Sequence, residues 1–172
     1  MRKTLYLKLL LAYLIFGLFG FVAVATFVSN MTMDHLKKEK ADSLYREATL
    51  IANTYASDLY SNEATLESVK DQLDALDTYM NATIWIINPS GRMILDSSSP
   101  VDVETEIVVE NFDPTVTAGS YYTVGDFFDT FDKDVLSVFA PITADYRVKG
   151  YVVIHYAMSS LEAEANSLLN IS

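Results

Sequence analysis

The sequence predicts an α+β protein in which a membrane-spanning helix continues into a long exterior helix, followed by an antiparallel sheet and a final helix. We expect about five strands, with the helices packed on one face of the sheet. Three observations support this fold class: a charge-free apolar run near the start of the chain, helical periodicity at both ends of the exterior part, and short β-forming runs separated by turns between them.

The apolar run extends from Leu9 to Met33 without a charged residue. As a helix rising about 1.5 Å per residue, the stretch from Leu9 to Val28 spans roughly 30 Å, the thickness of a bilayer's hydrocarbon core. Basic residues precede the run and an acidic region follows it, which predicts a cytoplasmic N-terminus and an extracellular remainder. We therefore expect a cytoplasmic segment at 1–8, a single transmembrane helix at 9–30, and a location in the cell membrane.

A cleaved signal peptide is the alternative interpretation of this run. Ala23-Val24-Ala25 is a small-x-small site behind a basic start and an apolar stretch. Against cleavage, apolar residues continue past this site to Met31, and the run exceeds the roughly 7–15 residues of an ordinary signal core. We favour an uncleaved anchor, whereas cleavage after Ala25 would give a secreted binding or structural protein.

The charge balance limits the possible partners. The chain carries 23 acidic and 12 basic residues, and the residues before the apolar run include three of the basic ones. The exterior part is therefore strongly acidic, which argues against binding to nucleic acid and against direct attraction to anionic lipid. Cysteine is absent, so neither disulfides nor thiolate metal sites are available.

The first exterior segment, 34–60, has apolar residues at helical spacings of three and four. No proline or glycine lies between Phe21 and Pro89, so the membrane helix can continue into this segment as one rod. The apolar stripe is wider than one sheet face needs, and we therefore expect a homodimer in which these helices pack together. The residues assigned to this dimer and signalling stripe are Leu44, Ile51, Tyr55 and Leu59.

Two further helices are predicted. One follows the long helix and carries an apolar stripe on Leu66, Val69, Leu73, Leu76 and Tyr79. The other is the exit helix at 158–172, which ends without a glycine or proline stop. We expect this exit helix to continue beyond the residues of this sequence.

Between these helices the periodicity changes to that of strands. The first two strands flank the turn Asn88-Pro89-Ser90-Gly91, which places proline and glycine where a type I turn prefers them. An aromatic and acidic loop, 125–134, separates the third strand from the last two. The predicted strands are 83–87, 92–96, 120–124, 135–142 and 148–156.

Two segments, together with the order of the elements, resemble the extracellular PAS-like (Cache, or PDC) sensor domains of bacterial sensor histidine kinases. The first is Ile84-Trp85-Ile86-Ile87-Asn88-Pro89-Ser90-Gly91-Arg92-Met93-Ile94-Leu95-Asp96-Ser97, which matches the family's aliphatic run, Asp/Asn-x-x-Gly, aliphatic run and Asp-Ser. The second combines 134–142 with 149–155, which are similar to the family's last two strands. The resemblance covers most of residues 5–172, and we assign 31–157 to the sensor domain.

The resemblance implies the extracytoplasmic signal-sensing and transmembrane-signalling region of a two-component sensor histidine kinase. In that family the exit helix enters a second membrane span that precedes the catalytic modules, so we expect this chain itself not to be an enzyme. A chemoreceptor or a cyclic-dinucleotide enzyme carrying the same type of sensor stays open as an alternative. A membrane-anchored hydrolase is disfavoured, because no nucleophile–base motif is visible.

Domains of this family bind small ligands in a cup between the sheet and its overlying loops. By resemblance, an arginine and an aspartate there could pair with the carboxylate and the amine of a ligand. The alternative interpretation is that these side chains are core aromatics and surface charges, with a cation or a protein as the stimulus. The candidate ligand-binding residues are Trp85, Arg92, Asp96, Tyr121, Tyr122, Phe139 and Tyr151.

The acidic loop suggests a metal site, because its carboxylates could supply oxygen ligands for Ca²⁺ or Mg²⁺. The candidates are Asp126, Asp129, Asp132 and Asp134. The loop lacks the Asp-x-Asp-x-Asp-Gly signature of a calcium loop, and in the alternative interpretation its phenylalanines anchor it to the core while the acids meet water. We expect no required cofactor, and we expect His155 to lie on a sheet face without binding metal.

Overall fold

The computed structural model describes residues 2–56, 65–99, 107–113 and 121–171. The chain divides into two compact units, Met1–Leu36 and Lys37–Ser172. The helices are α1 (Arg2–Ile51), which ends in a π-helical turn (Ala52–Ala56), α2 (Leu66–Met80) and α3 (Met158–Ile171). The strands are β1 (Thr83–Ile87), β2 (Met93–Asp96), β3 (Tyr122–Gly125), β4 (Val135–Ala144) and β5 (Arg147–Ala157).

The first unit consists of the N-terminal part of α1. Every side chain from Lys3 to Val28 is exposed, and the helical stretch Lys3–Thr54 is long and apolar enough to cross a membrane. The prediction of a long N-terminal helix is therefore confirmed, and its placement in a membrane stays a prediction.

The second unit contains a five-stranded antiparallel sheet with the order β2-β1-β5-β4-β3, which confirms the predicted α+β class. Strands β4 and β5 form its longest pair, joined by the two-residue turn Asp145-Tyr146. Both turn residues have left-handed backbones, with φ of 53° and 62°, as a type I′ hairpin turn requires.

Strand β4 is longer than the sequence predicts, because it runs through Pro141 to Ala144. A proline lacks the N–H group that an inner strand donates to its neighbour, so we expected the strand to stop near this residue. The ladder between β3 and β4 covers only Val135–Val138 on the β4 side. Pro141 lies outside that ladder and pairs with Tyr151 of β5 on the other side.

The helices cover one face of the sheet, and the main apolar core lies between them. Helix α1 buries Leu44 and Ile51 in this core, with exposed fractions of 4% and 0% in a single chain. Their own domain therefore already covers these two residues, and their assignment to a dimer stripe stays a prediction that this packing does not support. The side chain of Tyr55 and the whole of Leu59 lie outside the described residues.

Helix α2 presents a narrower buried stripe than its sequence predicts. Val69 and Leu73 are buried, but Tyr79 is 88% exposed, so its place on the apolar stripe is wrong. A buried lysine, Lys70, takes part in the packing instead, because its ammonium pairs with Asp74. It also donates a hydrogen bond to the main-chain oxygen of Ser97 at 3.1 Å, which joins α2 to the end of β2.

Ser97 is the polar residue that holds this end of the sheet together. Its hydroxyl accepts a hydrogen bond from the Ile84 amide at 2.9 Å and donates one to Asp77 Oδ2 at 2.5 Å. Its own amide donates to the Ile84 carbonyl at 2.9 Å. The side chain thus extends the β1–β2 ladder by one residue and connects it to α2.

We expect Ser97→Ala to lower the free energy of unfolding by about 1–3 kcal/mol, because the buried Ile84 amide would lose its acceptor. Urea unfolding of the chain in detergent micelles, followed by the fluorescence of its single tryptophan, measures this change. Ser98→Ala is the matched control, since exposed Ser98 bonds only within the turn, and it should change stability by less than about 0.5 kcal/mol. Equal effects of the two substitutions would contradict the role given to Ser97.

Candidate functional site

The sheet face opposite the helices is covered by aromatic side chains from loops. Buried residues of this face include Trp85 of β1, Phe139 of β4 and Val153 of β5. Because side chains alternate along a strand, every second residue of each strand points to this face. We name the cluster the aromatic cup and define it as Trp85, Phe112, Phe127, Phe131, Phe139, Tyr151 and His155.

The acidic loop, 126–134, closes one side of the cup. Phe127 is 4% exposed, and its ring lies 5.5 Å from that of Phe139 and 5.7 Å from that of Trp85. Phe131 stacks on Trp85 at 5.4 Å with 14° between the ring planes. The four aspartates of the loop are exposed, so in this structure the aromatic rings anchor the loop while its carboxylates face outward.

The loop adopts a strained backbone where it enters the cup. Phe127, Phe128 and Asp129 have φ of 50°, 54° and 60°, a left-handed conformation that costs about 1–2 kcal/mol for each non-glycine residue. Amides of Thr130 and Phe131 donate to the Asp126 carbonyl at 3.1 and 2.9 Å and close the turn. Burial of the aromatic rings offsets this strain, so the loop conformation depends on the cup being packed.

The segment 107–113 forms the other wall of the cup. Its Phe112 ring lies 6.0–6.3 Å from the rings of Phe127, Phe139 and Tyr151. The segment is held by the Val109 amide, which donates to the Gly91 carbonyl at 2.8 Å. A half-open cleft of about 290 Å³ lies beside the cup, between residues 107–111 and residues 128–130.

Gly91 is required where this wall meets the β1–β2 turn. Its φ is +92°, and a Cβ atom there would lie 2.7 Å from the Val109 carbonyl oxygen and 2.9 Å from Phe112 Cβ. The turn itself is organised by Asn88, whose Oδ1 accepts hydrogen bonds from the Ser90 and Arg92 amides at 3.0 and 2.9 Å. The predicted Asn-Pro-Ser-Gly turn is thus confirmed, and it also places Phe112.

His155 lies at the bottom of the cup and is 3% exposed. Its Nδ1 is 2.6 Å from the hydroxyl of Ser137, its partner on β4. Its ring is 4.2 Å from that of Trp85 and 4.5 Å from that of Phe127. Burial without a counter-charge lowers the pKa of His155 from 6.5 to about 3, so the imidazole is neutral when the cup is closed.

Two polar atoms in the cup are buried without a hydrogen-bond partner among the described residues. They are Nε2 of His155 and Nε1 of Trp85. Buried polar atoms in native proteins are nearly always bonded to protein or water. These two therefore mark the polar part of an otherwise apolar site.

The structure brings three of the seven predicted ligand-binding residues into the cup: Trp85, Phe139 and Tyr151. Tyr121 and Tyr122 lie elsewhere. The ring of Tyr121 is 5.2 Å from that of Tyr45 on α1 and 5.5 Å from that of Tyr122. Tyr121 therefore contacts the long helix and Tyr122 packs against Tyr121. The assignment of both to the cup stays an untested prediction without support from this geometry.

The predicted pairing of Arg92 and Asp96 around a ligand stays an untested prediction. Arg92 is exposed and immediately precedes the edge strand β2, whereas Asp96 ends that strand and pairs across the ladder with Trp85. Asp96 accepts hydrogen bonds from the Ser98 amide at 2.9 Å and the Ser98 hydroxyl at 2.6 Å. Its carboxylate therefore organises the turn after β2.

The four candidate metal ligands are not assembled either. Within the described parts of the chain, no group of three or more histidine, aspartate or glutamate side chains could hold a metal ion. Asp126 instead accepts a hydrogen bond from the Asp129 amide at 3.3 Å. The divalent-cation hypothesis for Asp126, Asp129, Asp132 and Asp134 stays a prediction that this loop conformation does not support.

No family model matches the chain, and no curated protein matches it significantly. Solved structures do match. The ligand-binding domain of the Campylobacter jejuni chemoreceptor Tlp3, in complex with 4-methylisoleucine, is 18% identical with a TM-score of 0.51, over 78% of this chain and 56% of that one. The sensor domain of the Vibrio cholerae histidine kinase DctB is 16% identical with a TM-score of 0.52, over 78% and 56%.

A domain of a sensory box/GGDEF family protein from Vibrio parahaemolyticus is 12% identical with a TM-score of 0.60, over 80% of this chain and 60% of that one. The chain thus spans well under two thirds of the length of these solved chains. At such low identities the likeness concerns the fold alone. The described residues have the PAS-like fold of bacterial sensory domains, which confirms the predicted resemblance.

We expect Gly91→Ala to destabilise the domain by about 1–3 kcal/mol, because it adds strain at positive φ and displaces the wall that carries Phe112. Urea unfolding measures the loss, and the emission of Trp85 reports the loosened cup. Pro89→Ala in the same turn is the control, since position two of a type I turn accepts most residues. A Gly91→Ala protein as stable as the control would contradict the close approach described here.

Proposed function

We propose that this chain is the extracytoplasmic sensing and transmembrane-signalling region of a membrane-bound sensor histidine kinase. The PAS-like fold shared with sensory domains, the apolar N-terminal helix and the motif resemblance of β1–β2 support this function. In this proposal the chain has no catalytic activity of its own. The kinase modules would lie in the same protein, beyond the exit helix.

One cluster carries the proposal, because it joins α1 and α3 to the central strand β5. Lys40 of α1 lies 4.2 Å above the ring of Tyr156 of β5 and 3.6 Å from Glu164 Oε1 of α3. The Tyr156 hydroxyl donates to the same Glu164 oxygen at 2.5 Å. We name Lys40, Tyr156 and Glu164 the helix bridge.

The helix bridge and the aromatic cup are adjacent in sequence and lie on opposite faces of β5. His155 points into the cup and Tyr156 points to the helices, as strand alternation requires. A change in the cup that moves β5 would therefore reach α1 and α3 directly. Burial and Glu164 raise the pKa of Tyr156 to about 12, so its hydroxyl remains a donor throughout the physiological range.

The stimulus we propose is a small ligand that enters the cup. The Tlp3 domain was solved with 4-methylisoleucine and with L-valine, and such small, partly apolar molecules suit a site lined by aromatics with two free polar atoms. In the structure the chain's own phenylalanines fill this space. Binding would therefore require the acidic loop to move, which shifts the population of two loop arrangements.

We expect loss of the helix bridge to loosen the spacing of α1 and α3. In Glu164→Ala, a distance distribution between spin labels at Lys38→Cys and Ala163→Cys should broaden, because the ion pair and the hydrogen bond are both lost. Tyr156→Phe should have a smaller effect, since the ring under Lys40 stays. Glu162→Ala is the matched control on the exposed side of α3; broadening there as well, or in none of the variants, would contradict the proposed route.

A homodimer is part of this proposal, but through a different face of α1 from the stripe first assigned. Ser43, Arg46 and Leu50 are exposed, and Leu50 is an apolar side chain with 56% of its surface in solvent. A second copy of the same helix is the occupant we propose for this face.

The chain has no cysteine, so single cysteines can map this interface without background. Cysteines at Ser43, Arg46 or Leu50 should form cross-linked dimers in membranes at least several times faster than cysteines at Ala41, Leu44 or Ala48, which are buried in their own domain. Faster cross-linking at the three buried positions would instead support the dimer stripe assigned from the sequence. Equal, slow cross-linking at every position would contradict the dimer.

The second candidate function is that of the same type of sensor region in a chemoreceptor or in a cyclic-dinucleotide enzyme. Two of the matching structures, from Tlp3 and from the GGDEF family protein, favour it as a specific alternative. The sensor and its two helices would work in the same way in each case. The reading frame beyond Ser172 distinguishes them, because a histidine-containing helical module, a chemoreceptor hairpin and a cyclase domain have different sequences.

A further inference from the structure

We propose that the aromatic cup is also a pH-responsive latch, in which protonation of His155 releases the acidic loop. This regulation is a property of the cup itself and goes beyond the proposed sensing of a small ligand. It would open the site, and expose Trp85, when the exterior becomes acidic.

The geometry leaves no place for a charged imidazole in the closed cup. His155 is buried under Trp85, Phe127 and Phe131, whose rings lie 4.2–4.8 Å away. Its Nε2 has no acceptor among the described residues. A second proton on the ring, at either nitrogen, would create a buried imidazolium whose Nε2–H has neither water nor a protein acceptor, which strongly favours an open arrangement.

The groups facing His155 from each neighbouring element are uncharged. Strand β4 contributes the Ser137 hydroxyl, and β1 contributes Trp85 and the cross-strand residue Thr83. The acidic loop contributes the rings of Phe127 and Phe131. Its charged side chains, Asp126, Asp129, Asp132, Lys133 and Asp134, are exposed, and burial alone accounts for the lowered pKa of His155.

The element that would move is already strained. The loop enters the cup through three consecutive left-handed residues, Phe127 to Asp129, which relax once the rings leave. Only Phe127 among the loop residues is fully buried. The closed loop is thus held mainly by aromatic packing around His155, and a charge at that position acts on those contacts.

The direction of the pH effect follows from linkage. His155 has a pKa of about 3 in the closed cup, and solvent contact in the open state restores the ordinary value of about 6.5. The closed state binds fewer protons, so its advantage is complete above pH 6.5 and is lost progressively as the pH falls toward 3. Between pH 7.5 and 5.0 the closed-to-open ratio should fall about 30-fold.

Amide hydrogen exchange of the full chain in lipid nanodiscs measures this ratio. After correction for intrinsic exchange, the protection of the Thr130 and Phe131 amides should fall about 30-fold between pH 7.5 and 5.0. Amides within α2 should keep their protection, because local opening there does not expose His155. Unchanged protection in the loop, or an equal fall in α2, would overturn the proposal.

The chain has two histidines, which provides a matched pair of variants. His155→Gln should remove the pH dependence of amide protection in the acidic loop. His35→Gln, at an exposed position of α1, should retain all of it. The same His35→Gln protein leaves His155 as its single imidazole, so its NMR signal can be titrated even if His155→Gln does not fold. A midpoint well below 6.5 supports the latch, and a midpoint at 6.5 overturns it.

Discussion

Strand β5 lies in the middle of the sheet, and both of its faces must be buried. Four of its residues, Val152 to His155, are at most 3% exposed. On one face the helices provide the cover, with Leu44, Ile51 and Leu161 fully or nearly fully buried. On the other face no helix is present in the described parts of the chain, and loop aromatics provide the cover instead.

This difference in cover explains where the strain and the unpaired atoms occur. A helix satisfies its own backbone while it buries a face, but a loop must bend to bring its rings inward. The left-handed run at Phe127–Asp129 is the result. Trp85 Nε1 and His155 Nε2 lie beneath the rings of that loop without a hydrogen-bond partner among the described residues. The face that carries the candidate site is thus the one whose burial requires a strained backbone.

Local chemistry allowed much of this fold to be predicted. The Asn88–Gly91 turn follows from residue identities, since proline, glycine and an asparagine side chain each have a specific role there. The strands followed from β-forming runs, and the aromatic anchoring of the acidic loop followed from alternating phenylalanines and acids. These features depend on residues that are close in sequence.

Predictions that depended on contacts between distant segments were less successful. A stripe such as Leu44 and Ile51 looks the same whether it faces its own sheet or a partner helix, so periodicity alone could not decide. The residues of the cup could not be identified without the strand register. His155 lies beside Ser137 because these two residues are paired in the β4–β5 ladder. Phe112 lies in an irregular segment, and no periodic signal indicated that it reaches Tyr151.

The strengths of the contacts suit a sensor that shifts between populations. The helix bridge combines a partly exposed ion pair, typically about 0.2–1 kcal/mol, with one hydrogen bond and one cation–π contact. Such a cluster is too weak to lock α1 and α3, but it is strong enough to bias two arrangements of similar free energy. The acidic loop likewise combines opposing contributions, since its left-handed backbone is strained while its aromatic rings are buried. Since His155 and Tyr156 are consecutive residues of one strand, the acidic loop and the helix bridge are connected through the central, buried strand of the sheet.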